Sequence, residues 1–191
     1  MMIQLENEVV CLRALTMDDI DALCEVAFYP EIWTYMSQAL ETRADVVAFI
    51  EKALQQKERG TEYPFVIIDK QTNKIVGSTR FMDIDLFHRR LEIGTTWHTP
   101  AVWRTHINTN CKLLLLTHCF DILEVRRVQI KTDAQNARSR TAIERIGAQF
   151  EGILRQHMTK KDGTARNTAM FSITWEDWPQ IAHQLMEQAA R

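Results

Sequence analysis

The 191-residue, 22.3 kDa chain is poor in the residues that make linkers and staples, with 6 glycines, 4 prolines and 4 cysteines. No Pro/Gly/Ser-rich stretch, internal repeat or low-complexity tract divides it, which excludes a string of modules. One domain over 1–191 is expected, with a core over about 9–175 and a C-terminal helix over 176–190. Cys11, Cys24, Cys111 and Cys119 contain no C-x-x-C pair, so neither a zinc framework nor a secreted disulfide scaffold is written in them. The 23 Lys+Arg against 25 Asp+Glu leave a net charge of −2. No whole-molecule basic field exists to hold nucleic acid or an anionic membrane, so any anion site must be local. The opening MMIQLENEVVCLRAL has no basic leader before an apolar core, and apolar runs such as the leucines at 113–116 are far too short to cross a bilayer. A cytoplasmic protein with no membrane or nucleic-acid partner is the expectation.

The remaining composition is that of an ordinary globular chain, 46% apolar and 25% charged. A chain of this length can bury roughly 70% of its unfolded surface, so it needs no metal or disulfide to hold it.

Periodicity predicts a strand over 8–15 and, after Thr16 with Asp18 and Asp19 as first-turn acids, a helix to about Phe28. Pro30 interrupts it, and 31–39 is read as a further short helical turn. A clearer helix spans 42–59, where Val46, Phe49, Ile50, Ala53 and Leu54 share a face before Gly60. Strands follow over 63–69, 75–85 and 90–98, the first two joined as a hairpin. The segment 108–122 is a helix apolar on much of its circumference, and therefore deeply buried. A strand over 125–132 and a short helix over 139–146 precede a second hairpin, 150–158 with 167–175, around Asp162-Gly163. Hairpins interleaved with helices predict an α+β fold: a mixed twisted sheet of about seven strands flanked by helices on both faces. The connection from 90–98 through the leucine-rich helix to 125–132 is a crossover, so those strands should run parallel.

In such a sheet, chemistry is expected where a strand's C-terminal end feeds a helix N-terminus, whose free N–H groups attract anions. Glu92–Leu116, EIGTTWHTPAVWRTHINTNCKLLLL, offers that arrangement, with Arg104 and His106 in the loop and Lys112 in the helix beyond. Cations in a first helical turn oppose the helix dipole, so three of them around one loop fit a polyanionic ligand. A solvated loop with incidental basic residues is the alternative.

Glu92-Ile93-Gly94, Pro100 and Trp103 stand in the order and spacing of a known motif, and NARSRTAIERIGA carries a second one in Asn136, Ser139, Ala142, Gly147 and Ala148. With Glu151-Gly152 and Arg155 following, the chain resembles the GNAT superfamily of N-acetyltransferases, in its ribosomal-protein N-terminal acetyltransferase-like branch. The resemblance runs from about Val9 to Trp175. It implies acetyl-CoA as cosubstrate, no metal, and an amine-bearing acceptor, either a peptide N-terminus or a small molecule; a homodimer is left open. It places the cosubstrate on Thr95, Thr96, Trp97, Arg104, Thr105, His106, Ile107, Asn108, Thr109, Asn136 and Ser139. The sequence departs from the pattern at His106 and Asn108, which stand where the family's pyrophosphate loop has small residues, usually glycine, that let a backbone approach a phosphate.

Acetyl transfer needs a neutral amine, a donor for the thioester oxygen and a proton for the leaving thiolate. Glu92 is the first candidate for the base, with an ordinary ion-paired glutamate beside Arg89 and Arg90 as the alternative. A backbone N–H near Thr95–Trp97, where the family's strand bulges, would serve the oxygen. The tyrosine many relatives use as general acid is missing, since Tyr29, Tyr35 and Tyr63 all lie in the first third. Ser139 is the substitute and Asn136 would orient the pantetheine arm, although the pair also reads as a helix cap. The acceptor is expected between the helices at 18–28 and 42–59 and the hairpin at 150–175. A CoA-binding module without turnover is the rival reading, and nucleic-acid binding through Arg126, Arg127 and the arginines of 138–145 a third. His98, His106 and His118 lack ligand spacing, Cys119 belongs to a buried stripe, Asp83 and Asp85 read as a polar hairpin face, and the five tryptophans read as packing.

Overall fold

The computed structural model describes residues 3–190. Eight strands form one sheet: β1 (Gln4–Glu6), β2 (Val10–Ala14), β3 (Tyr63–Asp69), β4 (Lys74–Asp85), β5 (Arg90–His98), β6 (Arg127–Asp133), β7 (Gln149–Thr159) and β8 (Ala165–Thr174). Their order across the sheet is β1-β2-β3-β4-β5-β6-β8-β7. Every neighbouring pair is antiparallel except β5 and β6. That exception is the crossover expected from the leucine-rich helix, and the fold class is as the alternation of elements implied. The eighth strand is β1, an edge segment of three residues that was not expected from the sequence.

Helices cover both faces. On one side lie α1 (Ile20–Ala27), α2 (Pro30–Trp33) and α3 (Arg43–Glu58). Their buried side chains, Leu23, Ile32, Trp33, Phe49 and Ile50 among them, pack with Val66, Ile75 and Trp97 of the sheet. The start of α3 is fixed by a capping box, in which Thr42 and Asp45 bond reciprocally. On the other side lie α4 (Ile107–Thr117), α5 (Ala137–Arg145) and α6 (Trp178–Ala189). There Cys111, Leu115, Phe120, Ile143, Ile181 and Leu185 meet Leu91, Ile93, Val128, Ile130 and Phe171. The leucine-rich segment is an α-helix only to Thr117; His118–Ile122 is a π-helical turn that sets His118 flat against Phe81, ring centres 5.8 Å apart. Among the described residues no helix is long and apolar enough to cross a membrane.

One irregularity positions the site. Between the paired residues Arg80↔Gly94 and Ser78↔Trp97, β4 advances by two residues and β5 by three. The extra residue is a bulge, and Thr95 within it takes a left-handed φ of 45°. A one-residue slip exchanges the faces of a strand. Leu91 and Ile93 therefore point into the α4 side, whereas Trp97 points into the α1–α3 side against Trp33 and Phe49. Gly77 on β4 makes this geometry fit, because a Cβ there would stand 2.1 Å from the Trp97 carbonyl oxygen.

Candidate active site

The parallel pairing of β5 and β6 is brief. Arg90, Leu91 and Glu92 pair with Arg127, Val128 and Gln129, and the ladder stops there, although β5 runs on to His98 and β6 to Asp133. Beyond Glu92 the two strands part. The β6-facing edge of residues 93–98, bulge included, has no strand partner, so its backbone groups line a cleft through the middle of the sheet.

The cleft opens at the N-terminus of α4. The first helical bond runs from the Asn110 N–H to the His106 carbonyl at 3.0 Å, leaving the N–H groups of Asn108 and Thr109 without a helical acceptor. Arg104 turns the loop into the helix with a left-handed φ of 64°, a conformation that favours glycine. Arg104, Thr105 and His106 are exposed, Asn108 is half-buried, and Ile107 and Thr109 are buried. His106 has an ordinary φ of −75° as the residue capping α4. Its position thus makes no conformational demand for glycine, and the residue is exposed. Across the cleft, the α5 N-terminus stands close by, since the Arg138 guanidinium lies 3.8 Å from the centre of the Trp103 ring. Arg138 was not singled out for this site. Its signal was the tryptophan of the loop motif, which needs a partner on its open face.

Three side chains depart from the sequence reading of this segment. Lys112 does not join Arg104 and His106 but is 5% exposed, its Nζ donating to Thr96 Oγ1 at 3.1 Å. Thr96 Oγ1 in turn lies 2.8 Å from Thr79 Oγ1. The ammonium thus sits beneath the bulge, where burial brings its pKa down to about 8. Trp97 and Ile107 direct their side chains into the two cores, which leaves only their backbones for a ligand.

Glu92 is 1% exposed on the α1–α3 face of β5. Its partner is Lys131 of β6, 2.9 Å away, and neither Arg89 nor Arg90, which bind the Glu124 carbonyl and Asp85. Burial, partly countered by Lys131, raises the Glu92 pKa above that of an ordinary carboxylate. Gly94 makes room for that carboxylate, since a Cβ there would lie 2.7 Å from Glu92 Oε1 and 2.8 Å from Met82 Sδ. The spacing of Glu92 and Gly94 thereby acquires a physical reason.

Asn136 caps α5, its Oδ1 accepting the Ser139 N–H at 3.0 Å. This is the cap expected from the spacing; it leaves the Asn136 amide nitrogen and the half-buried Ser139 hydroxyl to face other groups. His98 is half-buried, and desolvation of its ring pushes its pKa down to about 3, so it is neutral at physiological pH. Cys111 and Cys119 are buried thiols, and Cys111 is pushed up to about 12. Among the described residues no group of three or more His, Cys, Asp or Glu side chains is placed to hold a metal ion. Arg127 is engaged by Glu151 at 2.6 Å, and Arg140 lies over the Phe150 ring.

Between α2 and the β7–β8 turn lies a groove of about 360 Å³ lined by Trp33, Thr34, Met36, Lys160, Lys161 and Asp162. Lys160 also reaches Asp133 at the end of β6 (2.9 Å), and Lys161 reaches Glu41 (2.6 Å).

A sheet split at its one parallel pair, with a helix N-terminus at the mouth of the split and a buried carboxylate beside it, is the scaffold of an acyl-CoA-dependent transferase. The chain belongs to the GNAT acetyltransferases: the family model for the acetyltransferase (GNAT) domain matches residues 10–149. It is 27% identical over 172 residues to YoaA of Bacillus subtilis, named an uncharacterized N-acetyltransferase, covering 88% of this chain and 95% of that protein. The crystal structure of a GCN5-related N-acetyltransferase from Brucella melitensis is 30% identical, with a TM-score of 0.90 over 97% of this chain and 84% of that one. RimJ of Mycobacterium smegmatis, solved in complex with CoA-disulfide, shares the fold with a TM-score of 0.80 at 24% identity, covering 97% of this chain and 93% of that one.

Proposed function

We infer that the chain moves an acetyl group from acetyl-CoA directly to a primary amine, on a protein N-terminus or a small molecule, with both substrates bound together. The observation that carries this reading is the parting of β5 and β6 beyond Glu92, with the free N–H groups of α4 at one end of the cleft and the buried Glu92 on the last rung before the strands part. Acetyl-CoA supplies an activated acetyl carbon and a thiolate leaving group.

In this reading the N–H groups of Asn108 and Thr109, with the loop from Arg104 to Ile107, take the diphosphate, and Arg104 adds a cation at the rim. A backbone N–H in the bulged stretch Thr95–Trp97 stabilises the oxygen on which charge develops. Lys112 holds Thr96, and with it the bulge that presents this N–H. Glu92 takes the proton the amine loses as its C–N bond forms. Its raised pKa suits it to that task near neutral pH, and Lys131 steadies the ionised form. Ser139 gives a proton to the sulfur as the C–S bond breaks, and Asn136 orients the pantetheine arm.

Following free thiol while acetyl-CoA is incubated with a panel of amines tests the reading. Release that depends on the amine, with intersecting initial-velocity lines, supports direct transfer in a ternary complex. Saturable CoA binding with no thiol release over any amine leaves a binding module instead.

A further inference from the structure

The α1–α3 face of the sheet carries buried polar atoms that the chain itself does not satisfy. Asp133 and Thr168 are cross-strand partners on β6 and β8, and Arg166 stands two residues from Thr168 on the same strand face. Ala169 and Phe171 turn to the opposite core. Arg166, Thr168 and Asp133 are 8%, 0% and 2% exposed. Arg166 Nε and Thr168 Oγ1 have no hydrogen-bond partner, and Asp133 Oδ2 meets the Lys160 ammonium 2.9 Å away. Arg166 forms no ion pair among the described residues, although Asp133 and Glu92 are near enough for their charges to act on it.

Interiors rarely leave a guanidinium nitrogen and a hydroxyl unpaired, because neither regains what it loses by leaving water. Nor is the charge balanced locally. Lys131 is matched by Glu92 and Lys160 by Asp133, which leaves Arg166 over, with Asp83 near Glu92 but exposed. Lys160 links this cluster to the groove at Trp33 and Met36, on the face of the sheet opposite α4.

The geometry points to an acceptor that carries an anionic group, a carboxylate above all, a few bonds from its amine, held by Arg166 and Thr168 while the amine faces Glu92. A guanidinium offers a carboxylate two parallel donors and the threonine hydroxyl a third, while Asp133 is already met by Lys160. This inference rests on the acetyl-transfer reading for what becomes of the amine, but binding alone can test it. The anion could instead belong to the acyl group; Lys160, which lines the groove beside α2 and reaches Asp133, favours the acceptor.

The test is calorimetric titration of the CoA-loaded protein with glycine, β-alanine, 4-aminobutyrate and 5-aminovalerate, each beside its carboxamide. At least one acid should bind roughly tenfold or more tightly than its amide, the order expected for a charge-assisted contact. Arg166→Met should erase the difference and Arg166→Lys keep part of it. Should Arg166→Met not fold, Thr168→Val must still narrow the ratio. Acids and amides binding alike, no binding by either, or a preference that survives in a folded Arg166→Met protein would overturn the inference. So would an Arg166-dependent preference for succinyl-CoA over acetyl-CoA, which would put the carboxylate on the acyl group. An Arg166-dependent preference without thiol release would leave this site standing and remove the transfer reading.

Discussion

Replacing Lys112 with methionine isolates what the buried ammonium beneath the bulge contributes. Burial is the largest influence on its pKa and lowers it from 10.5 to about 8, while the neighbouring Cys111, Cys119 and Glu92 act in the opposite sense. Between about pH 8 and 10.5 the unfolded chain holds a proton at this position that the folded chain has released. Stability therefore rises with pH across that window, and the cost of burying the charge is fully present below it. The gap corresponds to about 3 kcal/mol. Methionine fills a similar volume without charge, at a loss of about 1 kcal/mol for the hydrogen bond to Thr96. Urea denaturation at pH 7 should accordingly find Lys112→Met more stable than the parent by about 2 kcal/mol, with the advantage shrinking as pH rises from 8 to 10.5. Acetyl transfer should fall at the same time, because Thr96 loses its anchor. A variant that is less stable at pH 7, or a stability difference that does not change with pH, would refute the account of a desolvated ammonium.

Glu92→Gln should lower kcat/KM by about 100-fold, in the range of general-base catalysis, and abolish the acidic limb of the pH–rate profile. In the parent that limb should lie above the ordinary carboxylate value of 4.5, because burial raises the Glu92 pKa. Gly94→Ala drives a methyl group against Glu92 Oε1 and should cost tenfold or more in activity, on the order of 1.4 kcal/mol, with the protein still folded by circular dichroism. The hydrogen bond from Arg127 holds Glu151 down to about 2, so stability should decline as pH falls from 4.5 toward 2. Arg127→Ala should flatten that decline by less than about 1 kcal/mol, since the Glu151 side chain is 40% exposed and its pair is screened by solvent.

Much of the fold was legible because its signals are local. The capping residues of α3, the helical spacing of Val46, Phe49, Ile50 and Ala53, and the Asp162-Gly163 turn each declare an element without tertiary help. The parallel pair followed from the length of the crossover. The three-residue β1 carries too few positions for a period to show. The bulge at Thr95 was foreshadowed only by the family resemblance, since no local signal marks it and its left-handed turn is imposed by register between β4 and β5. The spacing of Glu92 and Gly94 stood out in the sequence, and its physical reason is the room that Gly94 leaves for the Glu92 carboxylate. The site was misread at Lys112, where position in the first turns of a helix suggests solvent, yet the helix end docks against the sheet. Asp133 and Arg166 alternate with apolar residues as an exposed strand face would, and only the folded structure reveals them as interior.

In the proposed function, the open end of α4 and the parted edge of β5 together receive coenzyme A. Titrating CoA into the ¹⁵N-labelled protein and following its backbone amides tests this at the atoms concerned. Saturable shifts concentrated at residues 104–109, 93–97 and 136 are the predicted result. Saturation with those amides unmoved, or shifts that scatter without saturating, would contradict it.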